Sequence, residues 1–319
     1  MTARTKPAQP SSTPPRRPLD SAAVLDRFTD ATRAWFTNTF DAPTSAQVQG
    51  WDAIADGQHT LVLAPTGSGK TLAAFLWALD SLAKRPRETR AKVGVRVLYV
   101  SPLKALIYDV ERNLRSPLVG IARESQRRGE PLPDITVATR TGDTGQKERR
   151  EIAKHPPDIL VTTPESLYLM LTSQARSVLG TVETIIIDEI HAVAATKRGA
   201  HMALSLERLE ALIADAGNPP PQRIGLSATQ RPLEEVARFL AGRRFDEGTQ
   251  KWRAREVRIV DTGVRKTLDL QIVVPVEDMG ELGKPVLGAD GEPLMMGAAA
   301  GEPEARSSIW PAIYPQLLE

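Results

Sequence analysis

The chain has 319 residues, 41% hydrophobic and 25% charged, a globular composition that excludes a wholly disordered protein. Its longest apolar run, Leu72 to Leu79, is too short to span a bilayer, and the lack of cysteine excludes disulfides, thiolate zinc sites and cysteine nucleophiles. The net charge of +2 conceals an asymmetry: Ser81 to Arg150 holds sixteen Lys and Arg against eight Asp and Glu, which fits either a polyanion-binding face or an arginine-rich solvated surface.

Residues 1–19 are basic and proline-rich, with no apolar segment behind the charges. They read as a flexible leader and not as a secretory signal. Short β-branched runs then alternate with helical patterns. Thr60 to Ala64 reads as a strand and Thr71 to Lys84 as a helix. Val95 to Ser101 is followed by a helical Leu103 to Leu118. Ile135 to Thr139 and Asp158 to Thr162 are further strands, and Glu165 to Leu171 is a helix. Val182 to Asp188 precedes a helical Gly199 to Ala216, and Arg223 to Ser227 precedes a helical Leu233 to Ala241. Several of these strands are apolar on both faces, as a sheet covered by helices on both sides requires. The pattern predicts an α/β fold with a doubly wound, mostly parallel sheet whose ligands bind beyond the carboxyl ends of the strands. Thr267 to Val274 reads as one more strand, 278–308 as a linker or surface insertion rich in Gly, Ala, Pro and Glu, and Ile309 to Leu318 as a last amphipathic piece.

Three motifs stand at predicted strand ends. APTGSGKT, Ala64 to Thr71, follows one strand and opens a helix. Gly67 and Gly69 let the backbone turn amides onto phosphate oxygens, with Thr66 and Ser68 between them, and the helix N-terminus adds its positive dipole end. Lys70 reaches the β- and γ-phosphates, and the Thr71 hydroxyl is a magnesium ligand. Ala64 stands where the general pattern has glycine. IIIDEIH, Ile185 to His191, then presents two acids after an apolar strand. Asp188 is suited to hold magnesium through water and Glu189 to orient and deprotonate an attacking water. His191 is placed as a relay to the third motif, SAT, whose Ser227 and Thr229 hydroxyls can bond the acidic cluster.

Taken with PTSAQ at Pro43, SPLKAL at Ser101, DVERNLRSPL at Asp109, RTGDT at Arg140, TTPESL at Thr162, KRGAH at Lys197 and SATQRPLEEVARFL ending at Leu240, these strings resemble superfamily 2 DExH helicases, and more closely the Lhr (large helicase-related) family. TPES and DEIH, where DEAD-box proteins carry TPGR and DEAD, resemble the processive, translocating branch. The resemblance implies a RecA-like P-loop NTPase domain using ATP and Mg2+, with Gln47 reading adenine. It implies that Lys104, Thr141, Gly142 and Thr163 contact one nucleic-acid strand. Trp51 and Trp77, in apolar helical patterns, are read as core.

The expected organisation is a RecA-like domain over 20–260, an edge strand and Gly/Ala-rich linker over 261–306, and the truncated start of a second RecA-like domain over 307–319. The expected activity is that of a cytoplasmic, ATP-dependent 3′–5′ helicase acting on single-stranded DNA or RNA and on DNA or RNA–DNA duplexes. The remaining C-terminal helicase domains are expected to lie outside these residues, so hydrolysis by the chain alone is expected to be slight. A non-catalytic ATP- or nucleic-acid-binding module and a translocase without strand separation are the alternatives.

Overall fold

The computed structural model describes residues 20–65, 67–85, 94–131, 134–228, 231–263 and position 313. The chain divides after Val264 into two units, and the architecture below is that of the first. Thr66, Thr229, the leader 1–19, the Thr267 to Val274 strand and the segments assigned to 278–308 and 307–319 lie outside the described residues, Ile313 apart.

Three helices precede the first strand: α1 (Ser21–Leu25), α2 (Asp30–Thr39) and α3 (Ser45–Ala55). Each starts at a side-chain cap, Asp20, Thr29 and Thr44 respectively, that accepts a hydrogen bond from a first-turn amide. Then follow β1 (Thr60–Leu63), α4 (Lys70–Ala83), β2 (Val97–Val100), α5 (Lys104–Arg127), β3 (Val137–Arg140), α6 (Gln146–Lys154), β4 (Ile159–Thr162) and α7 (Pro164–Leu171). After a 3₁₀ turn come β5 (Thr184–Ile187), α8 (His191–Ala194), α9 (Lys197–Asp215), β6 (Gln222–Ser227), α10 (Leu233–Ala241), β7 (Arg243–Asp246), β8 (Lys251–Ala254) and β9 (Arg258–Asp261).

Seven strands form one sheet in the order β3-β4-β2-β5-β6-β1-β9, every pairing parallel. Alternate residues of each central strand enter opposite cores. Val62, Tyr99, Val161 and Ile186 pack under α2–α5, while Leu61, Leu63, Leu98, Val100, Leu160, Ile185 and Ile187 pack under α7, α9 and α10. That two-sided burial is the reason the strand sequences show no polar alternation. Trp51 is fully buried, edge-on to Phe28 and Phe36, and Trp77 packs partly buried against the same core.

Some elements depart from their sequence patterns. The helix read as Leu103 to Leu118 runs on to Arg127 through Pro117. Proline removes one backbone bond there, but Leu114, Pro117 and Ile121 share the buried face and hold the helix together. The Val95 to Ser101 strand begins only at Val97, because the Val95 amide bonds to Val178 O in the 3₁₀ turn. The edge strand β9 pairs with β1, and β7 and β8 form a separate antiparallel hairpin. None of these three carries a long apolar run, so the pattern rules miss them.

Beneath the α9–α10 face sits a buried ion network. Arg223, with 1% of its side chain exposed, donates to Glu207 Oε1 at 2.9 Å and Glu210 Oε2 at 2.7 Å. Arg255 donates to the other oxygens of both acids, at 3.1 and 2.6 Å. Burial raises the Glu207 carboxyl, but the two guanidiniums outweigh it and leave the group below its ordinary value.

Candidate functional site

The phosphate loop leaves β1 and enters α4 through two left-handed glycines, Gly67 at φ 80° and Gly69 at φ 79°. Gly69 caps α4 without a side chain, so the first amides of the helix stay free to face an anion. A second structure braces the loop. Thr44 Oγ1 accepts from the Gln47 amide at 3.3 Å and donates to Ser68 O at 2.8 Å, while Gln47 Oε1 accepts from the Thr44 amide at 2.9 Å. This capping box holds Gln47, only 4% exposed, against the loop. A Cβ on Gly69 would come within 2.4 Å of Gln47 Nε2, whereas one on Gly67 would meet nothing within 4 Å. Gly69→Ala is therefore expected to lower nucleotide affinity more than Gly67→Ala, since both pay for the left-handed backbone but only the first displaces Gln47. Nucleotide titration of both variants checks this, and equal losses would remove Gln47 from the explanation.

Lys70 is nearly buried and donates to Ala64 O at 2.5 Å. Burial lowers its pKa, opposed by the negative charge of Glu189 and then Asp188. Those acids leave the carboxyl end of β5, two strands from β1. Asp188 Oδ1 accepts from the Glu189 amide at 2.9 Å, and Glu189 has φ 41°, a strained value for a non-glycine residue. Nearby Tyr99 is fully buried and stacked on Phe75 at 4.7 Å. Burial pushes its phenol well up, helped by Asp188.

His191 Nδ1 lies 3.2 Å from Glu189 Oε2, 3.2 Å from Ser227 Oγ and 3.4 Å from the Ala228 amide. One nitrogen cannot accept from that amide and donate to Glu189 at once. His191 thus stands between the acid and the end of β6, within hydrogen-bond reach of both. Ser227 Oγ donates to Ala228 O at 2.8 Å.

Gln47, Gly69, Lys70, Thr71, Asp188 and Glu189 line one cavity of about 540 Å³. Sequence reasoning assigned no role to three further residues that line it, Phe40 and, four apart on α5, Asp109 and Asn113. Their spacing on one helical face was the available signal. Among the described residues no cluster of three or more His, Asp or Glu is arranged to hold a resident metal. One carboxylate and one hydroxyl beside a phosphate loop nevertheless suit magnesium, which takes few protein ligands and leans on substrate phosphates.

The other four candidates follow β2, β3 and β4, which are neighbours in the sheet. Lys104 opens α5, exposed, with Nζ 3.0 Å from both Asp143 oxygens. Gly142 is exposed beside it, its carbonyl accepting from Arg149 at 2.8 Å. Thr141 and Thr163 are nearly buried. Thr141 Oγ1 accepts from the Asp143 amide at 3.2 Å, and Thr163 caps α7. Their hydroxyls thus shape the loops, while Lys104 and Gly142 reach the surface. Arg198, read only as part of KRGAH, ties two of these loops together, donating to Pro102 O at 2.7 Å and to Glu165 Oε2 at 3.0 Å. The hydrogen bond from Arg198 holds the Glu165 carboxyl below its ordinary value.

The model of the DEAD/DEAH box helicase family matches residues 44–237. The chain is 57% identical over 263 residues to the Lhr helicase/probable uracil glycosylase of Mycolicibacterium smegmatis, covering 82% of this chain and 16% of that protein. It is 48% identical over 306 residues to the Lhr helicase/uracil glycosylase of Escherichia coli, covering 95% and 18%. The solved structure of Mycobacterium smegmatis helicase Lhr bound to ssDNA and AMP-PNP superposes with a TM-score of 0.72 at 51% identity, over 92% of this chain and 32% of that one. The chain thus spans less than a fifth of the length of these two curated relatives. Among the described residues no helix is long and apolar enough to cross a membrane. The chain belongs to the DEAD/DEAH box helicase family, and the relatives and the solved structure to which it is similar here are Lhr helicases.

Proposed function

We propose that this domain is the ATP-binding half of a 3′–5′ nucleic-acid helicase or translocase, and that it works with a second RecA-like domain to move along one strand. The observation that carries the reading is a single cavity holding Lys70, Thr71, Asp188, Glu189 and Gln47. Gln47 pairs its amide with the adenine edge, and Phe40, 40% exposed, offers an apolar surface to the base. The loop amides and Lys70 bind the phosphates. Thr71 and Asp188 would hold magnesium, which when bound supplies positive charge to the phosphate oxygens. Glu189 takes the proton of the attacking water, and His191 bonds the same carboxylate. Lys104 and the loops after β3 and β4 contact the strand backbone, and β2, which leads into Lys104, pairs with β5, whose end carries Asp188 and Glu189. A cytoplasmic setting accords with the lack of cysteine.

Titration of the chain with AMP-PNP and magnesium, with and without a single strand, is the direct test. Saturable uptake that is lost on adding EDTA is expected, with little hydrolysis until the second RecA-like domain is supplied. No uptake at millimolar nucleotide would refute the reading.

A further inference from the structure

The hairpin β7–β8 takes part in none of the chemistry above. A two-stranded ribbon standing alone is marginal in water, and this one is held by its ends. Gly242 enters it at φ 68°, where a Cβ would come within 2.3 Å of Glu207 Oε1. At the exit Arg255 is clamped by Glu207, Glu210 and Ala241 O. The clamp fixes the base and leaves the strands outside: every residue of Lys251–Ala254 and Arg243–Phe245 is exposed.

The register sorts their side chains. Arg243 faces Ala254, Arg244 faces Arg253, Phe245 faces Trp252 and Asp246 faces Lys251. Alternation puts Arg243, Phe245, Trp252 and Ala254 on one side of the ribbon. There the two rings meet edge-on at 5.4 Å, yet they stay 39% and 63% exposed. The other side sets Arg244 opposite Arg253, a like-charge pairing that destabilises a sheet. Both line a cavity of about 610 Å³ with Arg258 and His59. Asp246 pairs with Arg253 at 2.9 Å, but Arg244 and Arg258 have no carboxylate partner among the described residues. Stability explains neither the exposed rings nor the opposed arginines. Charge points to a ligand, since 243–255 carries five basic residues against two acidic ones.

We propose that this hairpin is a second nucleic-acid contact, which holds an unpaired strand with its bases on Trp252 and Phe245 and its phosphates on Arg243, Arg244, Lys251 and Arg253. Every base has a π-face, so exposed rings flanked by cations bind strands with little regard to sequence. The cations adjoin both rings in the chain: Arg244 precedes Phe245, and Lys251 and Arg253 bracket Trp252. The cavity opens where the chain enters β1, β6 and β9, since Gln58, His59, Pro220 and Arg258 line it. That is the sheet edge opposite the phosphate loop. The contact therefore lies outside the nucleotide cleft and goes beyond the function proposed above.

Anisotropy of a labelled oligo-dT strand with the full chain, over a salt series, tests this. Trp252→Ala is expected to weaken binding about tenfold, the loss of one base stack, with AMP-PNP uptake unchanged. Arg244→Gln is expected to flatten the slope of log affinity against log salt by about 0.7, one lost phosphate contact. A 5-iodouracil oligonucleotide should cross-link within 243–254. Wild-type affinity and salt slope in both variants, with cross-links confined to the loops after β2, β3 and β4, would overturn the proposal and point to a protein as the partner of the hairpin. Should Trp252→Ala misfold, the exposed Arg244→Gln change carries the test. Hairpin cross-links without nucleotide uptake would sink the motor reading alone.

Discussion

Lys70→Ala is expected to abolish measurable nucleotide uptake by this chain and ATP hydrolysis by any assembly that contains it. The ammonium is nearly buried at the mouth of the phosphate loop, close to both Asp188 and Glu189. Its removal takes the fixed positive charge from the cleft and leaves the two acids to repel the phosphates. Truncating one partner of a buried, hydrogen-bonded charge pair costs about 2–5 kcal/mol, which is roughly a thirtyfold to several-thousandfold loss of affinity. The fold should survive, because alanine is the best helix former and Lys70 is the first residue of α4. Isothermal titration with AMP-PNP, alongside circular dichroism, separates lost binding from lost structure. Wild-type titration by a folded Lys70→Ala protein would remove the lysine from the proposed role.

Arg223→Met should produce the largest loss of stability of any single change outside the nucleotide cleft, about 3 kcal/mol. Methionine fills much of the volume but leaves Glu207 and Glu210 with Arg255 as their one guanidinium among the described residues. Breaking a buried ion pair from one side costs about 3–5 kcal/mol. The lower end applies because Arg255 still reaches both acids and Glu207 is 39% exposed. The Arg223 side chain also donates to Leu240 O and Ala241 O at 3.3 and 3.1 Å, so the end of α10 and the base of the hairpin loosen together. The shift of the urea midpoint at constant slope measures the effect. A change under about 1 kcal/mol would show that the network adds little.

The candidate nucleotide site could be read from the chain because its motifs are local. A phosphate loop needs its glycines, lysine and hydroxyl within a few consecutive residues between a strand and a helix, and APTGSGKT supplies them together. The acids of DEIH follow directly on three isoleucines, so the strand and its functional end are contiguous. The sheet was legible for a related reason, since strands buried on both faces must be apolar throughout.

Other features depend on contacts between residues far apart in sequence. Strand order puts Lys70 and Asp188 in one cavity and gathers Lys104, Gly142 and Thr163 on the three adjoining strands. It also brings Asp109 and Asn113 of α5 into the cleft wall. Arg223 is one cation in a strand that otherwise reads as core, and only its meeting with Glu207, Glu210 and Arg255 explains its burial. The hairpin is short and polar, with no periodicity to announce it, and its two faces exist only through cross-strand register. The sequence by itself determined the covered parallel sheet and the motifs that stand at its carboxyl edge, because burial pattern and motif are properties of consecutive residues. Tertiary structure alone decided which strand ends became neighbours, which charges were neutralised and which were left facing solvent, because those follow from pairings between distant segments.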